Sequence, residues 1–218
     1  MKNLLNRQTI MQVLDWAYER TLTGIPGLDS VDGLARKFMM KEGTMHEKAD
    51  SLIRCQNIKA GTSGFLTGVG GLMILPAAIP ANLASVLYIQ IRMIAAIAIM
   101  GRYNLRDEKV KTLIYICLAG SFAKDIVQDT SIVIGTKLTA RVVDSISERS
   151  LLAINKRVGF SLVSKYGGKS AINIGKAVPI VGGLIGGTID TFTTNLIGTT
   201  ARRMFIGSPD SSVSENLK

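Results

Sequence analysis

Apolar positions recur at helical spacing from the start of the chain. Ile10, Leu14, Ala17 and Tyr18 line one side of a segment from about Leu4 to Thr21, the repeat of an amphipathic helix. Gly24, Pro26 and Gly27 break it. A charged helix then opens near Ser30 or Asp32 with Leu34 and Phe38 on its apolar side. A third runs from Thr44 towards Lys59, with Met45, Ala49, Leu52 and Ile53 inward and Glu47, Lys48 and Arg54 outward.

Then polarity vanishes. No charged residue occurs between Lys59 and Arg92. The run Gly64 to Leu75 is followed by Pro76 and Pro80, then by apolar sequence to Met100. Length alone would admit a membrane span. Each proline, however, removes a backbone donor and crowds the preceding turn, which predicts one helix before Pro76 and another after Pro80, a helical hairpin or re-entrant element.

Gly101 to Arg106 reads as a turn, and Asp107 as the N-cap of a helix carrying Val110, Leu113, Ile114, Cys117 and Leu118. From Asp125 to about Ser164 the pattern stays amphipathic. Val127, Ile134, Leu138, Val142 and Ile146 make one face against Lys137, Arg141, Asp144 and Glu148, and Leu151, Ile154, Val158 and Leu162 continue the rhythm. After a loop at Tyr166-Gly167-Gly168, a second apolar segment runs from Ala177 to Ile197, interrupted only by Asp190. Strand signals are weak throughout. The expected fold is all-α: a multi-helix bundle with two apolar, Gly-rich helical hairpin segments. It divides into an N-terminal helical region (1–43), a main helical domain (44–206) and a disordered polar tail (207–218).

Composition sharpens this picture. Hydrophobic residues make up 47% of the chain and aromatics only 6%, with 22 glycines, a mixture suited to close helix packing. The formal charge of +10 favours an acidic surface as partner. Lys and Arg are scattered and no nucleic-acid signature is present, so nucleic acid is not expected. Cys55 and Cys117 read as buried, reduced thiols in helices. Residues 1–20 carry Arg7, Asp15, Glu19 and Arg20 and no long apolar core, so a secretory signal is not expected and the cytoplasm is.

Candidate chemistry is sparse. His46, the single histidine, sits between Met45 and Glu47 on a charged helix and reads as a solvated surface residue. One His and two distant Cys do not suggest zinc. Gly168-Lys169-Ser170 ends like a phosphate loop, but Val163 stands where its first glycine belongs. Gly68-Val69-Gly70 lacks the third glycine of a dinucleotide fingerprint, since residue 73 is Met. No catalytic, cofactor or metal residues are expected.

The glycines have another use. Gly64 and Gly68, Gly182 and Gly186, and Gly183 and Gly187 are each one helical turn apart, so two helix backbones could approach closely along them; the competing reading is a flexible loop. Two charges also stand in apolar surroundings. Arg92 either snorkels to water or meets Asp190 in one buried polar cluster with Gln90 and Lys176; Asp190 otherwise faces solvent at a helix end.

These residues resemble a known family. Gly64-Phe65-x-Thr67-Gly68-x-Gly70-Gly71 with Pro76 and Pro80, then Tyr88-Ile89-Gln90-x-Arg92-Met93-x-Ala95-Ala96, is similar to the EcsC protein family. So are Asp107-x-x-Val110 and Lys176-Ala177-Val178-Pro179-x-Val181-Gly182-Gly183-x-x-Gly186-Gly187-x-x-Asp190, ending in Ile197-Gly198 and Arg202. The likeness covers roughly Gln56 to Phe205. It implies a bacterial, helical, membrane-linked protein and supplies no catalytic residues.

The resulting expectation is a non-enzymatic, basic protein associated with the inner face of the membrane, peripheral or partly inserted through its Gly-rich hairpins. Its partner would be anionic lipid or a membrane protein complex, with oligomerisation left open. The alternatives are a soluble helical module binding an acidic protein, or a pore-forming effector that inserts on a switch.

Overall fold

The computed structural model describes residues 6–61, 81–130, 132–133, 136–166 and 182–207, and the side chains within them except residues 59–61, 81–82 and 182–192. Every element among the described residues is helical. In chain order they are α1 (Arg7–Thr23), α2 (Val31–Met39), α3 (Met45–Gly61), α4 (Ala81–Met100), α5 (Glu108–Leu118), α6 (Ala123–Val127), α7 (Ala140–Asp144), α8 (Glu148–Tyr166) and α9 (Gly182–Phe205). A 3-10 turn at Gly120–Phe122 joins α5 to α6. No strand occurs among the described residues, as the weak strand signals predict.

Local chemistry sets the helix starts. Asn6 accepts from the amide of Thr9 at 2.8 Å and opens α1. Ser30, rather than Asp32, opens α2 by accepting from Gly33. Thr44 and Glu47 form a reciprocal capping box on α3, in which the Thr44 amide donates to Glu47 Oε2 at 2.7 Å and the Glu47 amide to Thr44 Oγ1 at 3.3 Å. The Thr44 amide first, and the Thr44 hydroxyl second, donate to Glu47 Oε2 and hold its carboxyl below its usual range. Asp107 caps α5 as its sequence predicts, accepting from Lys109 at 2.8 Å.

The centre is α4, which packs against α1, α2, α3, α5 and α9. It begins at the residue after Pro80, as the proline argument requires; the segment around Pro76 lies outside the described residues. Leu87, Ile91, Ile94 and Ile97 are fully buried, and withdrawing each such side chain from water is worth about 1.5–3 kcal/mol. Among the described residues one helical stretch, Leu83–Met100 within α4, is long and apolar enough to cross a membrane, and it is mostly buried among its neighbours. Ile10, Val13 and Leu14 of α1 and Leu34 and Phe38 of α2 belong to the same core as α4, so the first two helices share the core of the residues that follow.

The amphipathic pattern from Asp125 to Ser164 does not run as one helix. It is cut into α6, α7 and α8 because hydroxyl side chains offer the backbone local alternatives. Thr130 Oγ1 donates to the carbonyl of Val127 and accepts from the amide of Ile132. Thr139 caps α7, and Ser147 accepts from Ser150 at the start of α8. Register shifts accordingly: Val143 is buried and Val142 only half-buried. Ile154, Val158 and Leu162 do bury one face of α8. The loop at Gly167-Gly168 and the tail from residue 208 lie outside the described residues.

Candidate functional site

Three helices carry most of what the sequence singled out, and their contacts define their directions. Asn57 donates to Asn195 at 3.2 Å, a Cβ on Gly198 would sit 2.8 Å from Ile53 Cγ1, and Arg202 pairs with Asp50. Numbers fall along α3 as they rise along α9, so the two run antiparallel. Gln90 Nε2 donates to Thr194 Oγ1 at 3.1 Å, and Gly101 lies against the carbonyl of Phe205. Those numbers rise together, so α4 and α9 run parallel. The C-terminal end of α3 and the N-terminal ends of α4 and α9 therefore lie at one end of the bundle. The uncharged stretch 62–80 leaves and re-enters at this end, and the second apolar segment enters α9 there.

A polar seam crosses the middle of the bundle, where Gln90 and Thr194 stand halfway along α4 and α9. Gln56, Asn57, Gln90 and Thr194 are all buried, between α3, α4 and α9. Gln56 Nε2, Asn57 Oδ1 and Gln90 Oε1 are buried without a partner among the described residues. Buried amide groups of this kind are commonly completed by ordered water.

The expected cluster of Gln90, Arg92, Lys176 and Asp190 is only partly described. Gln90 does reach α9, one turn beyond Asp190. Arg92 points elsewhere: it is 3% exposed, and its guanidinium donates to the backbone carbonyl of Asp29, before α2, at 2.5 Å. The structure thus separates Gln90 from Arg92, which are two residues apart on a helix and cannot share a face. Arg92 does not snorkel to water. Lys176 and the side chain of Asp190 lie outside the described residues.

Gly182, Gly183, Gly186 and Gly187 have helical backbone in α9, not a loop. Their surroundings, and Gly64 and Gly68 altogether, lie outside the described residues. A close helix approach is nonetheless present nearby. At Gly198 an added Cβ would meet three Ile53 carbons at 2.8–3.2 Å, where α3 and α9 touch. The sequence signal was a lone glycine in an amphipathic run.

Around this stretch of α9, three apolar side chains are left in water. Ile58, next to Asn57, is 69% exposed. Leu196 is 37% exposed and lies beside Gly120, two residues before Phe122, itself 46% exposed. Arg54 and Lys124 stand exposed on the same elements, with no ion pair among the described residues.

At the opposite end, the start of α3, the ends of α4 and α9 and the start of α7 enclose an open cleft of about 900 Å³. His46 stands in its wall, half-buried rather than solvated, and donates through Nε2 to the carbonyl of Gly207 at 2.8 Å. Tyr103 Oη donates to the carbonyl of Leu138, tying the wall together. The α4 terminus here is a Schellman motif: Tyr103 N bonds Ala98 O and Arg102 N bonds Ile99 O. Its left-handed position holds Arg102, φ 69°, the sole non-glycine with positive φ among the described residues. Glycine is usual there. An L-residue costs about 1–2 kcal/mol more in this conformation.

Other titratable groups are structural. Tyr115 donates to Asp15 at 2.9 Å, beside the Lys111–Asp15 ion pair at 3.1 Å. Burial first, and Asp15 second, push the Tyr115 hydroxyl far up. Burial likewise pushes up the Cys117 thiol, which is unreactive in consequence. Cys55 is half-buried, not buried as expected, and both cysteines are free. Among the described residues no group of His, Cys, Asp and Glu could hold a metal.

The EcsC protein family profile matches residues 39–206. The chain belongs to that family. Comparison with curated proteins and with solved structures gives no match. Within this EcsC protein, the family match spans α3 to α9, including the polar seam, the cleft and the end from which the uncharged segments leave.

Proposed function

We propose that this EcsC protein is a non-catalytic, peripheral membrane protein that docks on anionic lipid through the end of the bundle where its uncharged segments attach, together with the exposed apolar side chains Ile58, Phe122 and Leu196 on its flank. The observation that carries this reading is topological. Residues 62–80, which contain no charge, attach at that end through both flanking helices, and the apolar run from Ala177 enters α9 there. The exposed side chains Ile58, Phe122 and Leu196 stand on the flank of the bundle, as do Arg54 and Lys124, which make no ion pair among the described residues. Apolar contact plus basic attraction are the two signals that stable peripheral attachment requires, each surface Lys or Arg adding about 1 kcal/mol near anionic headgroups. The apolar helix α4 is not the lipid contact in this reading, because its neighbours already cover it. The cytoplasmic face of the membrane, rich in anionic lipid, is the location it implies.

Co-sedimentation tests the proposal. Vesicles containing phosphatidylglycerol should carry down the protein, neutral phosphatidylcholine vesicles much less, and raised salt should release the electrostatically held fraction. Equal recovery in the supernatant with anionic, neutral and no vesicles at low salt would reject it in favour of a soluble module for an acidic protein.

A further inference from the structure

The cleft at the opposite end is unused by a membrane-docking role, and its chemistry is specific. Two cations, Arg102 and Lys137, face it and make no ion pair among the described residues. His46 adds a polar nitrogen, while Met45, Met100, Val110 and Phe205 give an apolar floor. Two carboxylates are also present. Asp107 is committed to the Lys109 amide, and Lys109 Nζ donates to the Asp144 carbonyl at 2.7 Å, bringing a third cation alongside Asp144.

Arg102 supplies the independent observation. It occupies the left-handed position of a helix end where glycine would be unstrained. Gly101, just before it, cannot gain a Cβ because the Phe205 carbonyl is in the way. The turn is thus fixed by packing, and a strained side chain is retained at the cleft rim. Backbone strain of this sort clusters where a side chain has a task.

We propose that this cleft binds a small organic anion with an apolar body, its phosphate or carboxylate between Arg102 and Lys137 and its hydrocarbon part on the Met45–Met100–Phe205 floor. A volume of about 900 Å³ suits a ligand of metabolite size.

His46 is the only histidine in the chain, so its ring resonances report on this cleft alone. Titrating the full chain with hexyl phosphate should shift them saturably, and hexanoate should do the same. Inorganic phosphate should bind at least tenfold more weakly, and hexanol should leave them unmoved. R102G and K137A should each weaken hexyl phosphate at least tenfold. R102G should also melt higher than the parent, because it relieves the strain; loss of binding then cannot be blamed on unfolding. Unmoved His46 resonances with hexyl phosphate, an equal response to hexanol, equal affinity for inorganic phosphate, or full binding by R102G would each overturn the proposal. Hexyl phosphate binding does not depend on vesicle binding, so this site and the membrane reading stand or fall separately.

Discussion

Gln90 on α4 donates to Thr194 on α9 at 3.1 Å, with both side chains fully buried. A neutral bond of this kind adds about 0.5–1.5 kcal/mol, but stranding one partner costs about 1–3 kcal/mol. Thr194→Val should therefore destabilise by about 1–3 kcal/mol, since Gln90 Oε1 has no other partner among the described residues to hold the amide. Adding Gln90→Met removes the stranded amide and should recover at least half of that loss. Urea unfolding of the two single variants and the double variant measures the coupling; strictly additive losses would exclude the pairing.

The helices were legible where short-range rules act alone. Ser30, Asp107 and the apolar spacing of α1 to α5 are local signals, and the structure follows them except at Met45, expected inward but 37% exposed because it is the first residue of α3, where no neighbour among the described residues covers it. The break between Asp125 and Ser164 was also encoded locally, in Thr130, Thr139 and Ser147, but the apolar period masked it. The seam and the cleft are different. Asn57 and Asn195 meet across 138 residues, and the cleft combines residues near 45, 102, 137 and 205. Such pairings depend on helix direction and register, which periodicity does not carry. Arg92 was recognised as needing a partner; a backbone carbonyl, which has no sequence signature, answered it.

Because that partner is the main chain, residue 29 is free to vary. Arg92→Met should cost about 1.5–3 kcal/mol, the worth of a hydrogen bond made by a charged group. Asp29→Ala should change stability by less than about 0.5 kcal/mol, as its carboxylate is exposed and its carbonyl persists. A large loss at Asp29→Ala in thermal unfolding would mean that the side chain, not the backbone, holds Arg92.

Gly198 is tested by a single methyl group. In an isolated helix Gly→Ala gains about 1 kcal/mol. Here the new carbon would press on buried Ile53, and overpacking costs about 1–3 kcal/mol. Gly198→Ala should thus fail to stabilise, and in an Ile53→Ala background the same change should become favourable. Stabilisation by Gly198→Ala alone, in chemical denaturation, would contradict the close approach of α3 and α9.

The Thr44–Glu47 box should make stability pH-dependent. Because the folded carboxyl is held below its usual range, its contribution is complete above the unfolded value, near 4.5, and disappears as pH falls through the lower folded value. Glu47→Gln should accordingly be less stable than the parent at pH 7. The gap should close as the medium is acidified below about pH 4. A gap independent of pH between 7 and 3 would show that the charge on Glu47 is not what caps α3.

If the protein docks on lipid as we propose, its orientation follows from where exposed apolar side chains adjoin the uncharged segments. Ile58 lies three residues before the end of α3 on that side, and Leu196 and Phe122 stand on the flank of the bundle, whereas Met40 and Met45, 86% and 37% exposed, lie before and at the start of α3, at the other end. Replacing the first three with Asp removes apolar contact and adds three negative charges facing anionic headgroups. Each change is at an exposed position, so folding should survive, with stability within about 0.5 kcal/mol per site. Binding to phosphatidylglycerol vesicles should then fall by at least tenfold, while Met40→Asp with Met45→Asp reduces it only slightly. The two variants differ by a single negative charge, so net charge accounts for little of the contrast. The reverse result, with the α3-start pair abolishing binding and the triple variant retaining it, would keep the membrane role and invert the docking surface. Equal, small losses in both would show that lipid attraction is spread over the whole basic surface rather than focused at one end.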